Sequence, residues 1–238
     1  MRRGTVSGVF SVRLDPQPGP QDEETLVVTL DGREETMRLH EYARVYSVPG
    51  LYDEVLRRLD YASPDKVAQL LLSAPGVKPS EVRALDLAAG NGMSADPLLA
   101  GGVAELVGLD LIPEARDAAL RDRPDAYAEY VAGDVGEPGL VAGLVSAHGL
   151  NALLCAGGLS HIPVEAFAGG WSAFGAGSWL VATAGEDLSD PDGGPYGRYF
   201  ADEVAAGRLA DVHTERFVHR MAMSGEPIEY TALRARRL

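Results

Sequence analysis

The 238-residue chain holds one cysteine, Cys155, and only two lysines, Lys66 and Lys78. A single thiol excludes an internal disulfide framework and a cysteine-rich metal centre, and no metal ligands are expected. Within the apolar run Ala152-Leu-Leu-Cys155, the thiol reads as buried core. Basic charge is scarce: 21 Lys and Arg face 35 Asp and Glu, for a net charge of −14. Gripping a phosphate backbone needs concentrated Lys and Arg, so no nucleic-acid partner is expected. The basic end Arg234-Ala-Arg236-Arg237 reads as a solvated strand end. No apolar run reaches 18 residues, which excludes a membrane-spanning helix, and no membrane partner is expected. The opening MRRGTVSGVF has two arginines but no apolar stretch of secretory length, so the cytoplasm is the expected location. No internal repeat or long low-complexity segment interrupts the chain. Its length and 46% hydrophobic content suit one main domain with its own core and a small appendage.

The organisation changes near residue 40. Before it the chain reads as β: Thr5 to Leu14, a Pro- and Gly-rich loop, Thr25-Leu-Val-Val-Thr-Leu30, the dipeptide Asp31-Gly32, and Glu34 to Leu39. Asp-Gly between two strand patterns is a strong hairpin signal. Residues 1–40 are therefore expected to form a β arm, which could cover the main domain or pair with a second copy. From Glu41 to Ala74 apolar residues recur at helical spacing, and Ser63-Pro64-Asp65 is expected to cap and start a helix. After Glu81, five strand patterns (Val82–Leu87, Leu106–Asp110, Tyr127–Ala132, Ala152–Cys155 and Trp179–Thr183) alternate with helical ones. Such alternation argues for a doubly wound, mostly parallel sheet. Glu215–Met223 and Ile228–Arg236 flank Ser224-Gly-Glu-Pro227, an antiparallel hairpin closing one edge. Trp171 and Trp179 are expected to pack against the sheet.

Asp86-Leu-Ala-Ala-Gly-Asn-Gly92 lies at a strand end just before a helix. Small residues there let the backbone approach a ligand, and the helix start offers free N–H groups. Ligands in such sheets sit beyond the carboxyl ends of the strands. The next strand ends in Asp110, where a carboxylate can accept both hydroxyl hydrogens of an adenosine ribose. The third is followed by Gly133-Asp134-Val135, where an acid can meet an adenine amino group. Gly90-Asn-Gly-Met-Ser-Ala95 also fits the loose dinucleotide pattern, which keeps a nicotinamide-dependent oxidoreductase open. Asp86 weighs against it: a pyrophosphate loop gains nothing from that carboxylate, whereas a ligand with a cationic amino-acid end does.

With Ala84-Leu-Asp-Leu-Ala-Ala-Gly-Asn-Gly92, Val107-Gly-Leu-Asp-Leu-Ile-Pro-Glu114, Ala132-Gly-Asp134 and Ala152-Leu-Leu-Cys-Ala-Gly157 in order, residues 41–238 resemble the class I S-adenosylmethionine-dependent methyltransferases. Leu39 to Tyr52, Phe217-Val-His-Arg and Gly225 to Tyr230 resemble the leader and closing hairpin of a bacterial subgroup of small methyltransferases. The resemblance implies a Rossmann-like seven-stranded sheet and S-adenosylmethionine as cofactor, with S-adenosylhomocysteine as product. It implies that Asp86, Ala88, Gly90, Asn91 and Gly92 cradle the methionine end. Asp110 would hold the ribose, Leu111 or Ile112 pack on adenine, Asp134 and Val135 meet its edge, and Ala156 line the site. Ala88 departs from the glycine usual in that loop. Tyr46 and Tyr52, and less so Tyr42, are candidates for capping the pocket. His161, in the loop after the fourth strand that lines the methyl-donor site in the family, is the first candidate base or substrate-orienting group. Glu186 is the second. His40, His213 and His219 read as structural. No Asn/Asp-Pro-Pro-Tyr/Phe motif follows the fourth strand, which argues against methylation of a nucleic-acid adenine. The loop Glu186 to Pro195 lacks a calcium-loop pattern and reads as a lid. The expected acceptor is a small molecule and the expected assembly a homodimer through the arm. A non-methylating protein that retains the cofactor is the alternative.

Overall fold

The structure, a computed structural model, describes residues 10–238; residues 5–9 of the expected first strand lie outside the described residues. Strands β1 (Phe10–Leu14), β2 (Thr25–Leu30) and β3 (Arg33–Arg38) form an antiparallel sheet in that order. Asp31 and Gly32 join β2 to β3 with φ of 50° and 77°, the left-handed pair that matches strand twist. β3, Arg-Glu-Glu-Thr-Met-Arg, buries only Met37, and its charged edge discourages further pairing. The other face of the arm is apolar. Val12, Leu26, Val28 and Met37 pack with Val45 of α1 (Tyr42–Ser47), Leu51, Val55 and Leu56 of α2 (Leu51–Arg58), and Met223. The arm thus shares a core with its own chain.

Helix α3 (Ser63–Leu72) starts where expected, with Pro64 in its first turn, but Ser63 is not its cap. Its hydroxyl lies 2.7 Å from His219 Nδ1 instead. Seven strands follow: β4 (Arg83–Leu87), β5 (Glu105–Asp110), β6 (Glu129–Ala132), β7 (Ala152–Ala156), β8 (Trp179–Ala184), β9 (Leu209–Met221) and β10 (Pro227–Arg237). Their order is β6-β5-β4-β7-β8-β10-β9; β10 runs antiparallel to both β8 and β9, so it is the one reversed strand of the sheet. Helices α4 (Ala95–Ala100), α5 (Pro113–Asp122), α6 (Leu140–His148), α7 (Val164–Trp171) and α8 (Pro195–Ala205) make the connections. Trp171 packs in one apolar layer with Phe167 and Phe174, and Trp179 in the other with Leu154 and Val181. Cys155 is fully buried, and burial pushes its thiol up to about 12. Two strand starts differ from the sequence reading by more than one residue. The third strand starts at Glu129, not Tyr127, because Tyr127 turns inward to bond Asp86. The closing hairpin starts at Leu209, not Glu215.

Two features position the site. Successive connections leave β4 in opposite directions, toward β5 on one side and β7 on the other, so a crevice opens beyond their carboxyl ends. The closing hairpin then overhangs that crevice. Its last rung to β8 is Thr231 opposite Ala184, and Pro227 to Tyr230 continue past it. The overhang is pinned from the other side: Ala62 N–H donates to the His219 carbonyl (2.8 Å) and Met221 N–H to the Leu59 carbonyl (2.7 Å).

Candidate functional site

The loop from β4 to α4 is held by its neighbours. The Tyr130 hydroxyl donates to the Gly90 carbonyl (2.6 Å), and Arg123 donates to the Asn91 carbonyl (3.0 Å). Asn91 Nδ2 donates to Asp53 (2.5 Å). Asp110 closes the loop onto β5: Oδ2 accepts from Gly90 N–H (2.8 Å) and Oδ1 from Ile112 N–H (2.9 Å). Burial raises the Asp110 pKa, and these backbone donors oppose the rise.

Ala88, where a glycine is usual in the resembled loop, has φ of 55°. An L-residue in this left-handed region costs about 1–2 kcal/mol, while glycine loses about 0.5–1 kcal/mol more chain entropy on folding. Ala88→Gly is therefore expected to leave stability unchanged or raise it by up to about 1 kcal/mol, as read from urea unfolding. A clear loss would mean that the Ala88 methyl packs usefully against Gly158.

Beyond the strand ends lies a cavity of about 600 Å³. One half is walled by Ala88, Asp110, Leu111, Ile112, Asp134, Val135 and Ala156. Asp134 Oδ1 accepts from Gly136 N–H, which fixes its turn. The other half is walled by His40, Tyr42, Tyr61, His161, His219, Arg220 and Tyr230. Tyr46 and Tyr52, ring centroids 4.9 Å apart, stand between this cavity and a recess of about 40 Å³ over Gly90 and Asn91. A Cβ on Gly90 would lie 2.6 Å from the Tyr46 hydroxyl, so only glycine fits beneath that ring.

Most of the residues singled out in the sequence converge here, and three do not. Gly92 lines neither space; a Cβ there would meet Tyr127 and Arg123. Asp86 lies beneath the loop, 1% exposed, with Oδ2 accepting from the Tyr127 hydroxyl (2.8 Å) and Oδ1 buried without a partner. Glu186 is turned away: its Oε1 accepts from Tyr196 N–H at the start of α8 (3.1 Å), so it serves that helix and not the cavity. His161 does line the cavity, with Nε2 3.4 Å from the Tyr42 hydroxyl. His40 and His219, which read as structural in the sequence, also line it, while His213 sits half exposed on β9 beside Glu215. The loop after β8 is tied down by Asp187, which accepts from Arg216 (2.8 Å).

The donor set fits an adenosine carrying a cationic amino-acid end. Asp110 has lone pairs left over on the cavity side. The orphaned Asp86 Oδ1 is an unmet acceptor beneath the glycine loop. Burial pushes the Asp86 carboxyl up to about 7. The native state then holds a proton that the unfolded chain has released, so stability falls as pH rises from about 4 through 7. Asp86→Asn, which keeps the Tyr127 bond, is expected to remove that fall and to stabilise the unliganded chain at pH 8 by about 4 kcal/mol. Urea midpoints at pH 5 and 8 check this, and equal slopes for both proteins would refute it.

Among the described residues no helix is long and apolar enough to cross a membrane, and no cluster of three or more His, Cys, Asp or Glu could hold a metal. No protein-family model matches the chain, and no curated protein matches it in sequence. Solved structures do match in fold. A SAM-dependent methyltransferase from Anabaena variabilis is 16% identical with a TM-score of 0.55, over 75% of this chain and 85% of that one. The 1,6-didemethyltoxoflavin-N1-methyltransferase of Burkholderia thailandensis is 20% identical (TM-score 0.53), over 93% and 99% of the two chains. An O-methyltransferase from Bacillus cereus is 13% identical (TM-score 0.52), over 84% and 90%. The seven-stranded order, the reversed closing hairpin and these likenesses agree: the chain has the fold of the class I S-adenosylmethionine-dependent methyltransferases.

Proposed function

We propose that the chain methylates a small-molecule acceptor with S-adenosylmethionine. The observation that carries this reading is Asp110, which ends β5 at the switch point. It holds the glycine loop through Gly90 N–H and still faces the cavity. The Burkholderia and Bacillus structures both contain S-adenosylhomocysteine. In this reading Ala88, Gly90, Asn91 and Asp86 hold the methionine end, Asp110 the ribose, and Leu111, Ile112, Asp134 and Val135 the adenine. Tyr46 and Tyr52 must yield for the methionine end to reach the recess over Gly90. When bound, the cofactor supplies an electrophilic methyl group on a sulfonium.

His161 is the base for an acceptor that must lose a proton, and Tyr42 orients it. Much of the acceleration would come from holding the acceptor in line, a task for the walls formed by Gln21, Asp22, Leu39 and His40 of the arm and by the hairpin overhang. A small acceptor is favoured because the cavity is walled by imidazole and phenol groups, with Arg220 its cation, and the chain carries −14 net charge. Among the described residues, the cavity walls offer a polyanion no basic track. Because the arm buries its apolar side on its own chain, a homodimer through it would use a sheet edge or its polar outer face.

Calorimetric titration with S-adenosylmethionine, S-adenosylhomocysteine and NAD, side by side, tests the proposal. Binding of the two sulfur compounds but not NAD is expected. NAD alone would revive an oxidoreductase, and binding without turnover across acceptor panels would favour a non-methylating protein.

A further inference from the structure

Behind the acceptor half of the cavity, ending at its lining residue His219, runs a buried polar chain that the glycine-loop chemistry does not use. Gly157 N–H donates to Thr183 Oγ1 (2.8 Å). The Thr183 hydroxyl donates to Ser63 Oγ (3.2 Å), and Ser63 Oγ lies 2.7 Å from His219 Nδ1. A backbone N–H can only donate, and each hydroxyl has one hydrogen. Only one arrangement gives every hydrogen of the chain an acceptor among the bonds present: Thr183 gives its hydrogen to Ser63, and Ser63 gives its own to His219, whereas a proton on Nδ1 would leave one hydroxyl hydrogen without an acceptor. Nδ1 must accept, so the ring proton resides on Nε2. His219 is 6% exposed, stacked on Tyr230 at 3.6 Å and edge-on to Tyr61 at 5.1 Å. Its ring has no freedom to turn. Among the described residues Nε2 has no partner, and His219 lines the cavity.

We propose that His219 recognises the methyl acceptor by a fixed Nε2–H, and that the acceptor is a neutral ring compound bearing a carbonyl oxygen to receive it. This deepens the small-molecule reading above and rests on it. A cationic amine would bring donors against a donor. Among the described residues that line the cavity, the one Lys or Arg is Arg220, and it is paired with Glu24 at 2.5 Å instead of being free to hold a phosphate or carboxylate. Burial, reinforced by Arg220 and His40, holds His219 near a pKa of about 3, so the ring stays neutral and its donor does not become a second base. His161, which also lines the cavity, remains the group proposed to take a proton. A site built around a buried donor discriminates strongly against analogues that lack the matching acceptor.

The tautomer is tested first, on the whole unliganded chain, by long-range ¹H–¹⁵N correlation of histidine side chains at pH 6 to 8. A neutral Nε2–H ring for His219 is expected, with mixed tautomers in Ser63→Ala. An Nδ1–H or doubly protonated ring in the wild type overturns the proposal. Binding is then read with S-adenosylhomocysteine present, using 2-quinolone, chromone and isatin against the carbonyl-free isosteres naphthalene and indole. At least one carbonyl probe should bind and shift His219 Nε2, with affinity reduced about tenfold or more in His219→Phe. No carbonyl probe binding, equal binding of the isosteres, or unchanged affinity in His219→Phe overturns it. Failure of S-adenosylhomocysteine itself to bind would remove the underlying reading as well, which separates the two failures.

Discussion

Asp110→Asn is expected to lower affinity for S-adenosylhomocysteine by about 100-fold or more, with the chain still folded. The carboxylate accepts from two backbone donors on different segments, Gly90 N–H and Ile112 N–H. An amide of the same shape has one oxygen, so it can serve one of them and must turn its NH2 on the other. Hydrogen bonds to a charged group contribute about 1.5–3 kcal/mol each, and the substitution also removes lone pairs meant for the ribose. Loss of the Gly90 contact frees the loop at its tightest point, beneath Tyr46. The test is calorimetry with thermal unfolding as a fold control. Normal binding by a folded Asp110→Asn protein would remove Asp110 from the site and, with it, the cofactor orientation argued above.

The two halves of the cavity were not equally legible in the sequence. Asp86, Ala88, Gly90, Asp110 and Asp134 all lie at or just past the carboxyl ends of consecutive parallel strands. Their neighbourhood is therefore implied by strand order alone, once alternation of strands and helices is recognised. The acceptor half has no such local signature. His40 comes from the end of the arm, Tyr61 from the turn before α3, and His219, Arg220 and Tyr230 from the antiparallel hairpin. They meet because β9 and β10 run past the last rung of β8, and strand periodicity does not say where a neighbouring strand stops. Ser63 misled for a related reason. Its position before Pro64 is that of a cap, but a tertiary partner 156 residues away takes its hydroxyl. Glu186 looked catalytic by its place after β8, but the peptide N–H groups opening α8 were a nearer demand.

Glu24 is the sharpest case. In the run Asp22-Glu-Glu24 it resembles any solvated acidic loop, yet it is buried against Arg220 with side-chain exposures of 4% and 3%. Oε2 accepts from the guanidinium at 2.5 Å and Oε1 from Met223 N–H at 2.6 Å. This bolt joins the arm to the hairpin overhang directly behind the acceptor wall. Removing one partner of a buried pair strands the other charge, at a cost of about 3–5 kcal/mol. Glu24→Ala is therefore expected to lower unfolding free energy by about that amount, enough to unfold a marginal domain. Replacing both partners with apolar groups removes the stranded charge, so Glu24→Leu with Arg220→Met should recover most of the loss. The double variant should also lose the wall behind His219, giving a stable chain that still binds S-adenosylhomocysteine but no longer retains carbonyl probes. Urea unfolding of the two single variants and the double one decides between this account and a surface ion pair. If Glu24→Ala costs under about 1 kcal/mol, as exposed pairs do, the arm is not bolted by this contact and its hold on the cavity rests on the apolar face alone.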